Sequence, residues 1–278
     1  MRGFRVSAPA RQGAVAGLLN YSRRTAPQPA LHSGGPGCPE TIHGIADDPK
    51  WTVIRDGRRI ADRLTLDEHG FRLLHCPTRV SDFESARQIK EIYEGEIATL
   101  LRLHTGARDV VVFDPTLRTS KPVAPASAGY RQPVLRVHSD FTDQSAAQTL
   151  RDLHHERRGG DPSRRFAILQ VWRPLSESAD SLPLALADAS SVEESDLFTV
   201  RRVYPGWVGE LAYVVHRPEH RWYWFPGMSR DEVVLFKVYD SSMNGTARRV
   251  VHTGFRPSMP HTATAHREST EIRALAFY

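Results

Sequence analysis

Val134-Leu135-Arg136-Val137-His138-Ser139-Asp140-Phe141-Thr142 is the stretch on which the fold and chemistry of this chain turn. Taken as a strand, its side chains alternate in direction, so His138 and Asp140 share one face. An imidazole and a carboxylate placed two residues apart can grip adjacent positions around a single metal ion. A second histidine brought in from far along the chain would complete a 2-His-1-carboxylate facial triad with open positions, the arrangement suited to non-haem Fe(II). His-x-Asp also arises by chance, and without that second histidine the pair is an ordinary strand end.

The chain has 278 residues, 40% hydrophobic and 25% charged, the composition of an ordinary globular protein. That length suits one large all-β or mixed domain, or two small ones. No apolar run approaches the roughly 18 residues of a membrane span. The basic start Met1-Arg2-Gly3-Phe4-Arg5 lacks the apolar segment of a secretory signal. Cys38 and Cys76 are too few for a disulfide framework. These features predict a cytoplasmic protein with no membrane partner. The net charge of +5 is spread in short pairs such as Arg157-Arg158, Arg164-Arg165 and Arg248-Arg249. A nucleic-acid binder gathers its basic residues with aromatics on one face, so that partner is not expected.

Residues 1–50 read as an irregular N-terminal arm, because the Pro/Gly/Ser-rich segment 25–40 has neither helical nor alternating periodicity. The remainder, 51–278, reads as a single domain. Its clearest helix is predicted over 82–104: Ser81 and Glu84 have capping-box spacing, apolar residues recur at helical intervals, and Gly106 supplies a stop. A second helix is predicted over 145–157. From there the pattern is β-rich, with strands expected over 166–172, 182–188, 232–239, 249–255 and 271–277. Segments 211–215 and 221–225 are expected to pair as a hairpin around Pro218-Glu219. Many short strands between turn signals predict a sandwich or barrel.

The distal histidine belongs on one of the last strands. His252 lies inside such a strand, whereas His261 and His266 lie in a loop where side chains are aimed less firmly. His252 therefore leads and His261 is the fallback. If the open metal positions take 2-oxoglutarate, a cation must hold its far carboxylate, and the planar fork of arginine suits that task. Arg267-Glu268-Ser269 lets a guanidinium and a hydroxyl face one carboxylate together. Arg273 has the same strand parity and competes with Arg267.

One ordered series of motifs resembles a known family. It comprises Leu66-Asp67-Glu68-His69-Gly70-Phe71, Val112-Phe113-Asp114-Pro115-Thr116-Leu117-Arg118, Val137-His138-Ser139-Asp140-Phe141-Thr142 and Gln170-Val171-Trp172-Arg173-Pro174. It continues with Trp222-Tyr223-Trp224-Phe225-Pro226, Asp231-Glu232-Val233-Val234-Leu235-Phe236-Lys237, Asp240-Ser241 and Arg267-Glu268-Ser269-Thr270-Glu271-Ile272-Arg273. The series resembles the gibberellin-desaturase and AsaB-like hydroxylase/desaturase family, which also includes the small component of bacterial cephalosporin 7α-methoxylases. The resemblance covers about residues 50–278. It implies a mainly β, α+β architecture with flanking helices around a double-stranded β-helix, a jelly-roll or cupin-like core. It also implies Fe(II), 2-oxoglutarate and O2 chemistry on a small molecule of secondary metabolism, and it assigns His138, Asp140 and His252 as iron ligands. Two positions depart from the family's pattern: Val251 stands where a proline is common, and Pro115 where a histidine is common.

Aromatic and cationic side chains that could orient a substrate with a polar handle are Arg118, Trp172, Arg173, Tyr223, Trp224 and Lys237. Both hydroxylation and desaturation fit the motifs. Two alternatives are an accessory or binding subunit of a partner oxygenase or methyltransferase, and a cupin-like metal enzyme that does not use 2-oxoglutarate. A homodimer and a partner biosynthetic enzyme both remain compatible with the sequence.

Overall fold

A computed structural model of the chain describes residues 13–32, 41–122, 129–157, 164–176, 180–258 and 266–278, with the side chains of 154–157 excepted. Its described strands form an eleven-stranded and a six-stranded sheet that face one another as a jelly roll. The smaller sheet runs Phe71–His75, Glu232–Asp240, Phe166–Pro174, Glu268–Phe277, Asp109–Thr119 and Tyr130–Arg131. Its inner strand Phe166–Pro174 is buried along its whole length, which is why it reads as a nearly unbroken apolar run. Phe166, Ile168 and Trp172 point inward, to a core shared with Leu184 and Leu186 of the larger sheet. Ala167, Leu169 and Val171 point outward, to a second core.

The outward core is covered by the helix. Its first turn begins at Ala86, with the Ser85 side chain accepting from the Gln88 N–H. This differs from the Ser81/Glu84 box: Asp82 Oδ1 takes the Glu84 N–H at 2.8 Å, and Gln88 Oε1 takes the Ser81 N–H at 2.9 Å. Both donors are thus satisfied in a turn that precedes the helix. The helix continues through a π-turn at Ile89–Tyr93 into Glu94–Thr105, and ends on Gly106 at φ 72°, a left-handed stop suited to glycine. Ile89, Tyr93, Ile97 and Leu101 lie on the face that meets the sheet.

Residues 1–50 are not all an irregular arm. Ala14–Arg24 pairs antiparallel with Ile45–Asp56 along its full length, from Ala14↔Arg55 to Arg24↔Ile45. Its buried positions are Gly17, Leu19, Tyr21 and Ser22, and the small and polar residues among them blur the apolar alternation. The pairing partner lies beyond the turn-rich segment, so no local signal announced it. This ribbon joins the larger sheet, which rolls back until the Val137 N–H meets the Asn20 carbonyl at 2.9 Å. Leu19, Tyr21, Val137, Trp222 and Trp224 pack inside the roll.

The expected hairpin is also replaced. Trp207–Val214 pairs with the preceding strand Leu197–Tyr204 around Pro205-Gly206, with Gly206 at φ 78°. Trp222–Trp224 pairs instead with Ile45–Asp56 and Leu184–Ala187. The Pro-Gly dipeptide is the stronger turn signal and it sets this register. Of the strand expected over 249–255, only His252–Gly254 is regular strand.

Ile97 is fully buried where helix and sheet meet. Ile97→Ala is therefore expected to lower unfolding free energy by about 2–5 kcal/mol, measured by urea denaturation; a loss below about 1 kcal/mol would contradict this packing.

Candidate metal centre

The stretch quoted first forms only a two-residue strand, His138–Ser139, and Asp140 lies just beyond it. Its placement is decisive all the same, because it is wedged between Trp207–Val214 and His252–Gly254. His252 stands directly opposite His138 in an antiparallel pair, and the two rings lie 4.3 Å apart between centroids. Each ring has its Nδ1 against a backbone carbonyl two residues earlier, His138 on Arg136 at 2.7 Å and His252 on Val250 at 3.2 Å. A carbonyl accepts, so Nδ1 carries the proton and each Nε2 presents a lone pair. Asp140 Oδ1 lies 3.3 Å from His138 Nε2 and 3.9 Å from His252 Nε2. Ligating atoms of these three residues all lie within 4.8 Å of one another, the one such three-residue group found among the described residues. His261, the fallback, lies outside the described residues.

Electrostatics hold His252 and Asp140 in ligand-ready protonation states. Burial, reinforced by His138, pushes His252 down to about 4, so it is neutral at ordinary pH. Burial raises the Asp140 carboxyl, but the Arg273 guanidinium outweighs it and holds the carboxyl well below the usual carboxylate range. Glu271 follows the same logic: burial raises it and Arg118, donating at 2.5 Å, holds it ionised.

Arg267 is different. It is only 3% exposed, and its hydrogen bonds go to neutral groups: Ser269 Oγ at 3.2 and 3.3 Å and the Leu182 carbonyl at 2.6 Å. No carboxylate lies within ion-pair distance among the described residues. Burial, with Arg118 close by, lowers its guanidinium to about 9. The guanidinium lies over the Trp172 ring at 5.2 Å, and the Trp172 Nε1 donor is itself buried without a partner among the described residues. Gly254 adjoins this cradle; a Cβ there would lie 3.5 Å from Arg267 Nη1.

A bulge arranges the remaining wall. Opposite Glu268–Phe277, the register jumps between Thr116 and Phe113, so Asp114 and Pro115 together face one residue. Asp114 takes a positive φ of 50°. Before the jump Val111 and Phe113 face inward; after it Leu117 faces the helix and Arg118 faces the cavity. Without the extra residue Arg118 would point away from the metal centre. Pro115, one of the departures from the family's pattern, is part of this device.

Arg118, Trp172, Arg267 and Arg273 therefore gather around His138, Asp140 and His252, and Ser269 supports Arg267 from below. Four other expectations are corrected. Arg173 is fully buried on the helix side, donating to Tyr93 Oη at 3.2 Å and to the Arg230 carbonyl at 2.5 Å; adjacent strand residues cannot share a face, so Trp172 and Arg173 could not both line one pocket. Lys237 is buried in ion pairs with Asp240 at 2.8 Å and Asp67 at 3.1 Å. Trp224 packs on Phe255 inside the rolled sheet. Tyr223 packs on Phe71 and does not line the metal cavity.

Gln170 and Glu271 were missed, although each is two residues from a nominated one and so has its parity. Also missed was the neighbouring cleft of about 770 Å³, which opens onto Asp140 and Arg273. Its walls are the helix Asp143–Arg157, through Gln144 and Gln148, and the hairpin whose exposed Trp207 lies on the rim. The hairpin wall depends on a pairing that sequence periodicity misassigned.

Known proteins share this architecture. A family model described as "Oxidoreductase/YMDC permease-like domain" matches residues 19–277. No helix among the described residues is long and apolar enough to cross a membrane. The chain is 31% identical over 288 residues to the hydroxylase/desaturase efuI of Hormonema carpetanum, covering 94% of each chain. It is 31% identical over 236 residues to the alpha-ketoglutarate-dependent dioxygenase tstK of Talaromyces stipitatus, covering 81% of this chain and 84% of the relative. The solved structure of the iron and alpha-ketoglutarate-dependent endoperoxidase NvfI matches with a TM-score of 0.82 at 24% identity, over 96% of this chain and 98% of its own, and shows the same fold.

The corrected position of Arg173 has a direct test. Arg173→Gln is expected to cost about 1–3 kcal/mol of stability through the partners it leaves unsatisfied, read by thermal or urea unfolding. Metal uptake should be unchanged in the folded variant, and loss of metal uptake would return Arg173 to the site.

Proposed function

Since the chain belongs to the hydroxylase/desaturase family of Fe(II)/2-oxoglutarate-dependent oxygenases, we propose that it hydroxylates or desaturates a small molecule of secondary metabolism, with His138, Asp140 and His252 as the iron ligands. The observation that carries the cosubstrate assignment is Arg267, a buried cation with no acidic partner among the described residues. An isolated buried charge is costly, and a carboxylate brought in by a ligand removes that cost. Bound Fe(II), with 2-oxoglutarate and O2, supplies the oxidation of an unactivated C–H bond, releasing succinate and CO2.

The protein's own part is positional. His138 and His252 present their Nε2 lone pairs, and Asp140 its carboxylate, toward one point. Arg267 and Ser269 would hold the far carboxylate of the cosubstrate, and Trp172, whose Nε1 donor has no partner among the described residues, lies against the same guanidinium. Arg118, Arg267 and Arg273 stand against Asp114, Asp140 and Glu271 in and beside the cavity. These charges balance, so a divalent cation taken up with a dicarboxylate leaves the balance intact. The adjoining cleft is the place for the substrate, and Trp207, Phe141, Gln144 and Gln148 offer it apolar surface and neutral hydrogen-bonding groups. A complete ligand set favours an enzyme over an accessory subunit, and Arg267 favours 2-oxoglutarate over a cupin-like reaction without it. We place the protein in the cytoplasm, where thiols stay reduced. A homodimer or a partner biosynthetic enzyme is compatible with this assignment and would leave the ligand set unchanged.

His252→Ala is expected to abolish succinate formation from 2-oxoglutarate; undiminished turnover would refute the ligand set. For the cosubstrate site, Arg267→Gln should weaken 2-oxoglutarate binding about 10–100-fold through loss of charge-assisted hydrogen bonds. In the unsubstituted protein affinity should be full at neutral pH, where Arg267 is charged, and fall as pH rises through about 9. That alkaline fall should be absent from Arg267→Gln, as measured by calorimetric titration across pH; a matching fall in both proteins would assign it elsewhere.

A further inference from the structure

Arg273 was a competitor for the cosubstrate carboxylate, yet its guanidinium is already committed. Nη2 donates to Asp140 Oδ2 at 2.8 Å and Nε to the same oxygen at 3.3 Å. Nε also meets Gln170 Oε1 at 2.9 Å, and Nη1 is tightly paired with Asp114 Oδ2. Glu271 Oε1 stands 3.9 Å from Nη2. Every side of this buried fork therefore faces a fixed acceptor, which sets its plane as well as its position.

The consequence falls on Asp140. Its two oxygens are divided: Oδ2 is held by Arg273, while Oδ1 faces both histidines, 3.3 Å from His138 Nε2 and 3.9 Å from His252 Nε2. Resting on the ligand set proposed above, we propose that Arg273 is a positioning residue that keeps Oδ2 away from the metal, leaving Oδ1 as the single carboxylate oxygen for coordination. One carboxylate oxygen and two imidazoles fill one face and leave the rest open for ligands. A carboxylate free to turn could chelate with both oxygens and occupy a further position.

Asp114 anchors the device. It reaches Arg273 from the bulge, at a positive φ of 50° immediately before Pro115. A non-glycine residue in that conformation is unfavourable and persists only where its surroundings demand it. The same bulge that turns Arg118 inward thus also delivers the carboxylate that braces Arg273.

The test uses Co(II) as the probe, titrated into the metal-free full-length protein without oxygen and followed by visible absorption. Arg273→Lys keeps the charge and loses the fork. It is expected to bind Co(II) about 10–100-fold more weakly and to shift the visible spectrum, which reports coordination. Arg273→Gln separates position from charge: loss of a cation beside the site would tighten metal binding if charge alone mattered, and weaken it if positioning does. Asp114→Asn, at a partly exposed residue, should show the same spectral shift in smaller measure and serves if the Arg273 variants fail to fold. Wild-type affinity and spectrum in Arg273→Lys, or in a folded Asp114→Asn where the former is not folded, would overturn the positioning role while leaving the ligand set standing. A wild-type protein that takes up no Co(II) would overturn the ligand set, and the positioning role with it.

Discussion

A β-strand offers only every second side chain to a given face, and the whole metal centre is built on that constraint. Along Phe166–Pro174 the inward set includes Gln170 and Trp172, while the outward set meets the helix. Along Glu268–Phe277, Glu271 and Arg273 join Arg267 and Ser269 on the cavity side, and Thr270, Ile272, Ala274 and Ala276 face away or pack beneath the helix. Two adjacent strands thereby supply the cavity's polar floor without any polar side chain on these inward positions being spent on the apolar core. The break in alternation at Asp114 and Pro115 is placed where it turns Arg118 inward and brings a second carboxylate to Arg273.

The same constraint explains what the sequence made legible. His138, Asp140 and His252 could be named because a metal site restricts residue type and parity. The pairing that brings His252 opposite His138 still depends on contacts far apart in sequence, and what pointed to it was the place of His252 on a late strand together with the resemblance of the ordered motifs. Parity, applied strictly, would have rejected Arg173 beside Trp172 and admitted Gln170 and Glu271. Lys237 and Trp224 could not be judged in this way. Their roles depend on Asp67, Asp240 and Phe255, and on a sheet that rolls over itself. The Ala14–Arg24 ribbon was hidden for a related reason, since its partner begins beyond a turn-rich segment and its apolar positions are interrupted by Gly17 and Asn20.

Charge ties the fold to the chemistry. Arg118 and Arg273 are neutralised by acids within the site, whereas Arg267 is packed over Trp172 and hydrogen-bonded to neutral atoms alone among the described residues. A buried guanidinium in that state works against folded stability. On the function proposed above, its retention at the head of the last strand serves recognition, with a carboxylate of the cosubstrate as its counter-ion. Burial lowers Arg267 only to about 9, so it keeps its charge at neutral pH. The neighbouring cleft is wider than the cavity around His138, Asp140 and His252, and it mixes aromatic surface at Phe141 and Trp207 and the amides of Gln144 and Gln148 with charged side chains such as Arg201, Arg202 and Glu210.

The most direct measurement is an anaerobic titration of the purified protein with Fe(II) and then 2-oxoglutarate, followed in the visible spectrum. A weak charge-transfer band that requires both additions is the predicted result, because the cosubstrate chelates iron held by His138, Asp140 and His252. Iron uptake with no band on adding 2-oxoglutarate would contradict the account.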